Sequence, residues 1–202
     1  MKQLTDAVLH LGKLVLQFGK TNRATFYEDG VTPESDTDHT VMLSIIACAY
    51  AERKAPHLDI GKIAQFALIH DFVEVYAGDV ATLRPLSNKD KTLKKNGERE
   101  ALERIKKELG ASLPWIPKTI EQYESLETPE ARFVKMMDKA MPSITHLFNN
   151  AQYIRNEGID ATMLKAARAQ HRQERLTTFA SDQPEAMALY DKLASRVYEI
   201  LG

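Results

Sequence analysis

The chain has 202 residues, 44% of them hydrophobic, and a formal net charge of −1. That length suffices for one domain with a sizeable core, and the charge balance excludes a global basic field aimed at nucleic acid or an anionic membrane. Cys48 is the only cysteine, which excludes an intramolecular disulfide and suits a reducing cytoplasm, and no apolar run reaches transmembrane length.

Leu4, Val8, Leu11, Leu14 and Val15 recur at helical spacing and predict a first amphipathic helix. This stretch lacks the continuous apolar core of a signal peptide. The segment TNRATFYEDGVTPES reads as a polar loop, with Gly30 and Pro33 as breakers. Asp36 or Thr37 is placed to cap a second helix through VMLSIIACAYAER. Asp59 is placed to cap a third, from Ile60 to about Ala77, which Gly78 ends. Val80 to Ser87 holds Pro85 and reads as loop.

A charged helix follows from about Asp90 to Leu109, stopped by Gly110. Its run KDKTLKKNGEREALERIKKE has no interleaved aromatics for base stacking and reads as an exposed helix with i,i+4 ion pairs. Pro114 and Pro117 precede another helix through TIEQYESLE, and Trp115 between them is expected to pack. Thr128-Pro129-Glu130 starts the helix that carries Phe133, Val134, Met137 and Asp138. Two more helices, roughly Asp160 to Thr178 and Gln183 to Leu201, are core or a subunit contact. No alternating strand is expected anywhere. The fold class is all-α, one domain over residues 1–202 without a dividing linker.

His70-Asp71 lies inside the predominantly apolar stretch IAQFALIHDFVEVYAGD. An imidazole and a carboxylate there are costly to desolvate unless something binds them, and a divalent cation satisfies both. His39 upstream and Asp138 downstream stand on separate predicted helices or helix starts, and packed helices can aim such residues at one point. The four offer two nitrogen and two oxygen donors, which suits Mn, Co, Fe, Zn or Ni better than Ca. The other histidines, His10, His57, His146 and His171, have no comparable partners and read as surface or packing residues. Glu74 stands three residues beyond Asp71 and four beyond His70, about the same helix face, where it can accept a proton from an attacking water or orient it. Asp79 follows Gly78 just past the helix end, where the dipole gives a carboxylate nothing.

The ordered H…HD…D pattern of these residues resembles the HD-domain superfamily of metal-dependent phosphohydrolases. PESDTDHT, HDFVEVYAGDV and EQYESLETPEARFVKMMDKAM resemble segments of its 5′-deoxynucleotidase branch, over roughly residues 20 to 150. The extension HD-x-x-E-x-x-x-G-D, with Glu74, Gly78 and Asp79, narrows the branch. The resemblance implies a single-domain HD-type helical bundle holding one divalent metal ion (Mn, Co, Zn, Fe, Ni or Mg) on His39, His70, Asp71 and Asp138. It further implies catalytic roles for Glu74 and for Asp79 as general acid, and a phosphate contact from Arg23. Glu124 is the expected acidic residue lining the substrate site. Branch members often carry a tryptophan at or just after the arginine; this chain has Ala24, then Phe26 and Tyr27, and Phe26 is the expected aromatic wall. Homodimers are common in the branch.

The expected activity is therefore a cytoplasmic phosphomonoesterase acting on nucleoside 5′-monophosphates, deoxy ones foremost, with a small-molecule nucleotide as partner and neither nucleic acid nor membrane. Hydrolysis of another phosphorylated nucleotide, such as a cyclic nucleotide or a guanosine polyphosphate, is the nearest alternative. Two-metal oxygenation is disfavoured, because no histidine lies between His70 and Asp138. A non-catalytic metal- or nucleotide-binding role would not require Glu74 and Asp79.

Overall fold

The computed structural model describes residues 2–79 and 87–202; the expected loop from Val80 lies, Ser87 apart, outside them. Helices dominate, as the apolar spacing predicts. In chain order the elements are α1 (Lys2–Phe18), β1 (Asn22–Phe26), β2 (Pro33–Ser35), α2 (Asp36–Lys54), α3 (Ile60–Ile69), α4 (Glu74–Ala77) and α5 (Asn88–Leu109). They continue with α6 (Trp115–Ser125), α7 (Pro129–Phe148), α8 (Gln152–Asn156), α9 (Ala161–Thr178) and α10 (Pro184–Leu201).

Two apolar clusters flank the centre of the molecule. One joins α2, α3, α7 and α10 through Leu43, Ile63, Phe133, Met137 and Tyr190. The other joins α1, α4, α5 and α6 through Leu14, Val75, Ile105 and Ile120. Of the two C-terminal helices, α10 is core, with Ala186, Met187, Tyr190, Ala194 and Val197 all buried.

Five local features depart from expectation. The expected loop 21–35 contains an antiparallel hairpin, β1 with β2. Its turn is closed by the Asp29 carboxylate, which accepts from the Val31 and Thr32 amides, and by Gly30 at φ +69. Strands of five and three residues are too short for alternation to register in a sequence. Next, α2 is capped by Ser35 rather than by Asp36 or Thr37. The Ser35 hydroxyl accepts from the Asp38 amide while the Asp38 carboxylate accepts from the Ser35 amide, a capping box that leaves Asp36 free to turn inward.

The expected helix 60–77 breaks after Ile69 and resumes at Glu74. Across the break the amides of Phe72, Glu74, Val75 and Tyr76 bond three residues back, a tighter winding than the α-helix. Finally, α8 was not foreseen, and Trp115 is 48% exposed rather than packed, its Nε1 donating to Gln65.

Within α7, Pro142 lacks the N–H that would bond the Asp138 carbonyl four residues earlier. The helix starts under Thr128, whose hydroxyl accepts from the Ala131 amide. Thr128→Ala is expected to cost about 1 kcal/mol and to lower the melting temperature by about 2–4 °C, read by calorimetry.

Candidate metal centre

Three separate pieces of backbone bring His39, His70, Asp71 and Asp138 together. His39 comes from the first turn of α2, His70 and Asp71 from the tightened turn after α3, and Asp138 from the middle of α7. One donor atom from each lies within 4.8 Å of all the others. His39 Nε2 stands 3.0 Å from Asp138 Oδ1, and His70 Nε2 stands 2.9 Å from Asp71 Oδ2 and 3.8 Å from Asp138 Oδ1. His39, His70 and Asp138 are buried, and Asp71 keeps a narrow opening to solvent.

The donor set fits a divalent cation on two further grounds. His70 Nδ1 lies 2.8 Å from the Ala67 carbonyl, which places the ring proton on that nitrogen and turns the lone pair of Nε2 inward. That buried Nε2 has no hydrogen-bond partner, since its approach to Asp71 is off the line a ring N–H would use. Behind His39, Glu34 Oε1 lies 3.5 Å from Nδ1, and Thr25 donates to the other oxygen of Glu34 at 2.5 Å. A carboxylate in this position orients a metal-binding imidazole and raises its basicity.

Electrostatics sets the rest of the site. Burial works against charge on His39, but hydrogen bonding to Asp138 and Glu34 outweighs it and raises its pKa to about 9. Burial likewise opposes ionisation of Asp71, yet the neighbouring His70 ring and the Arg23 guanidinium hold its carboxyl well below the usual range. Glu74 goes the other way: burial, then Asp71, Asp79 and Asp36, push it far above an ordinary glutamate, with Lys94 opposing at 3.9 Å. Asp36 is pushed up to about 6 by burial and by Asp71 and Asp79, against the pull of Arg23.

Arg23 sits at the centre of this acidic group. Its Nη1 donates to Asp71 Oδ2 at 3.0 Å and to Asp36 Oδ1 at 3.2 Å, and lies 3.9 Å from Glu74. The β1 strand holds it there, 13% exposed, with its guanidinium charge strengthened by those carboxylates despite burial.

Two cavities open on the centre. The larger, about 600 Å³, is lined by His70, Asp71, Glu74 and Asp138 on one side and by Lys94, Arg99 and Glu124 on the other. The smaller, about 140 Å³, is lined by Arg23, Asp79 and Asp138 together with side chains of α7 and α9. Asp138, Lys139, His171 and Arg175 line both.

The structure thus gathers Arg23, Glu74 and Asp79 around the four donor residues. Glu124 lies on the larger cavity, half-exposed and 3.7 Å from Lys135. Phe26 is not brought in: its ring packs at 5.9 Å from Tyr153, and it is Tyr153 and Ala24 that line the smaller cavity. The pairing of β1 with β2 and the packing of Phe26 on Tyr153 hold its ring off the cavity. Sequence reasoning missed Glu34 and Asp36, which look like ordinary loop acids, and His146, which is buried on the smaller cavity with an unpartnered Nδ1.

The HD-domain family model matches residues 17–179. The 5′-deoxynucleotidase HDDC2 of Xenopus laevis is 32% identical over 135 residues, covering 66% of this chain and 64% of the relative. The 5′-deoxynucleotidase HDDC2 of Bos taurus is 30% identical over 134 residues, covering 65% and 62%. The chain therefore spans under two thirds of the length of these curated relatives. Among solved structures, a predicted metal-dependent phosphohydrolase from Magnetospirillum magnetotacticum MS-1 superposes with a TM-score of 0.71 at 22% identity, covering 97% of this chain and 98% of that one. At that identity the likeness carries the fold alone.

His70→Ala and Asp138→Ala are expected to leave no stoichiometric metal after dialysis, measured by elemental analysis. Glu34→Gln, which alters no donor atom, is expected to weaken metal affinity about 10–100-fold. Wild-type affinity in Glu34→Gln would show that the carboxylate does not orient His39.

Proposed function

The chain belongs to the HD-domain family, and from that premise we propose that it is a metal-dependent phosphomonoesterase releasing phosphate from nucleoside 5′-monophosphates, deoxynucleotides foremost. The observation that carries this reading is the cluster of His39, His70, Asp71 and Asp138, with Arg23 and Glu74 packed against it. Relatives named 5′-deoxynucleotidase support the substrate class.

The four donor residues would hold one divalent ion. When bound, that ion supplies positive charge for a phosphate and acidifies a water molecule. The mixed nitrogen and oxygen set favours Mn, Co, Fe, Zn or Ni, with Mg the hardest fit.

The chain's own groups supply the remainder. Arg23 presents the unengaged N–H groups of its guanidinium to phosphate oxygens, held in place by Asp36 and Asp71. Glu74 stands against the donor cluster and is assigned proton acceptance from the attacking water; burial and neighbouring carboxylates raise its proton affinity, and a bound cation together with Lys94 at 3.9 Å would bring it back toward the working pH. Asp79, beyond the positive-φ Gly78 on the smaller cavity, is assigned proton delivery to the leaving oxygen. The larger cavity has room for a nucleoside, with Glu124 on its wall.

No helix among the described residues is long and apolar enough to cross a membrane, and the lone cysteine suits the cytoplasm. A homodimer, expected from the family, has an apolar face available on α1, where Leu9 and Leu16 are exposed.

Metal-stripped protein, reloaded with one metal at a time, should release phosphate from 5′- and not 3′-monophosphates, with the deoxy-to-ribo ratio read from kcat/KM. Glu74→Gln should retain metal while kcat falls about 10²–10⁴-fold. Unchanged turnover in Glu74→Gln would remove its role as base.

A further inference from the structure

The smaller cavity has a wall that the reaction above does not use. Arg168, His171 and Arg175 stand three and four residues apart on α9 and line it together. On the adjoining edge of the same helix face Arg172 makes a two-pronged pair with Asp191, with N–H to oxygen distances of 3.0 and 3.1 Å. Arg104 and Arg132 are likewise matched to carboxylates. Arg168 and Arg175 are not: among the described residues neither has a carboxylate within ion-pair distance.

Both nevertheless lie against neighbouring side chains. Arg168 Nη2 donates to Ser143 at 3.1 Å, and its guanidinium lies 5.6 Å from the Tyr198 ring centre. Arg175 lies 4.7 Å from the ring centre of Tyr190. Each keeps a buried Nη1 with no hydrogen-bond partner. The third unpartnered atom on this cavity is Nδ1 of His146, whose side chain is 3% exposed.

A buried N–H without an acceptor costs more than a net hydrogen bond returns, so the two arginine N–H groups on one cavity, with the His146 ring beside them, mark a place for an acceptor-rich ligand. Two carboxylates share the wall, but Asp138 is already met by Lys139 at 2.6 Å and by His39, and Asp79 lies in the field of Arg23. At about 140 Å³ the space takes one phosphoryl-sized group and not a nucleoside.

We infer that this cavity is an oxyanion subsite in which Arg168 and Arg175 hold one phosphate group beside the metal cluster, with the His146 ring forming part of its wall. The subsite stands on these contacts alone; attributing its phosphate to a substrate or a product rests on the phosphomonoesterase reading. Planar guanidinium forks backed by tyrosine rings match phosphate geometry better than a mobile lysine does.

The test is equilibrium dialysis of labelled orthophosphate against the full chain, metal-free and metal-loaded. Arg168→Met and Arg175→Met should each weaken binding about tenfold or more in both forms, and Arg172→Met should not. Arg168→Lys and Arg175→Lys keep the charge and should recover part of the loss, with thermal melting confirming that each variant folds. Wild-type binding in both methionine variants, or an equal loss in Arg172→Met, overturns the subsite, as does an absence of saturable binding to the wild type.

Competition with a deoxynucleoside 3′,5′-bisphosphate and with the 5′-monophosphate separates the sources. A bisphosphate advantage that disappears in Arg168→Met places a second substrate phosphate there. Equal competition, with orthophosphate still sensitive to the variants, places free phosphate there. Dialysis reads the subsite even if no monophosphate is hydrolysed, so the two readings fail separately.

Discussion

The structure is organised around an excess of buried negative charge. Glu34, Asp36, Glu74 and Asp138 are almost wholly removed from water, and Asp71 nearly so. Removing an ion from water costs several kcal/mol even after relaxation, and packing like charges together adds to that. Arg23 is the one guanidinium at their centre, and it touches Asp36 and Asp71 directly. Lys139 on Asp138 and Lys94 near Glu74 ease the imbalance that it leaves, and a divalent cation would correct the remainder. The two apolar clusters on either side make the imbalance possible, because they exclude the water that would otherwise screen it.

Local backbone features make sense in this light. A continuous α3–α4 helix would carry His70, Asp71 and Glu74 along one regular spiral, whereas the tightened turn at 70–73 resets the facing of Glu74 relative to the pair. Capping of α2 by Ser35 frees Asp36 from that task and lets it bury against Arg23. The hairpin fixes the register of Arg23 and sends Thr25 toward Glu34. Each feature places a charged side chain, and the tightened turn also delivers Phe72 and Val73 to the second apolar cluster.

The helices and the four donor residues were legible in the sequence because both carry repeated or unusual signals: apolar spacing over ten residues or more, and an imidazole–carboxylate pair in an apolar stretch. What escaped was short or tertiary in origin. The hairpin strands hold five and three residues, and α8 holds five, too few for periodicity to show. Glu34 and Asp36 acquire significance only from what folds over them. His146 shows no partner in sequence, and its burial on the smaller cavity follows from the packing of α7 against its neighbours. On α9 the sequence shows three arginines, and only the fold shows that Asp191 on α10 matches one and leaves two.

The span between His39 and Asp138 has one more implication. The two are 99 positions apart, and the nitrogen–oxygen pair that joins them closes a loop enclosing half the chain. Long loops are entropically expensive to close and form slowly. During synthesis the first three donors emerge well before the fourth, so no complete coordination shell exists while the nascent chain is still short. A cation that needs all four donors would thus be captured late, sealing a finished fold instead of nucleating it. Occupancy would then be a proofreading mark, open only to a chain whose distant halves have met.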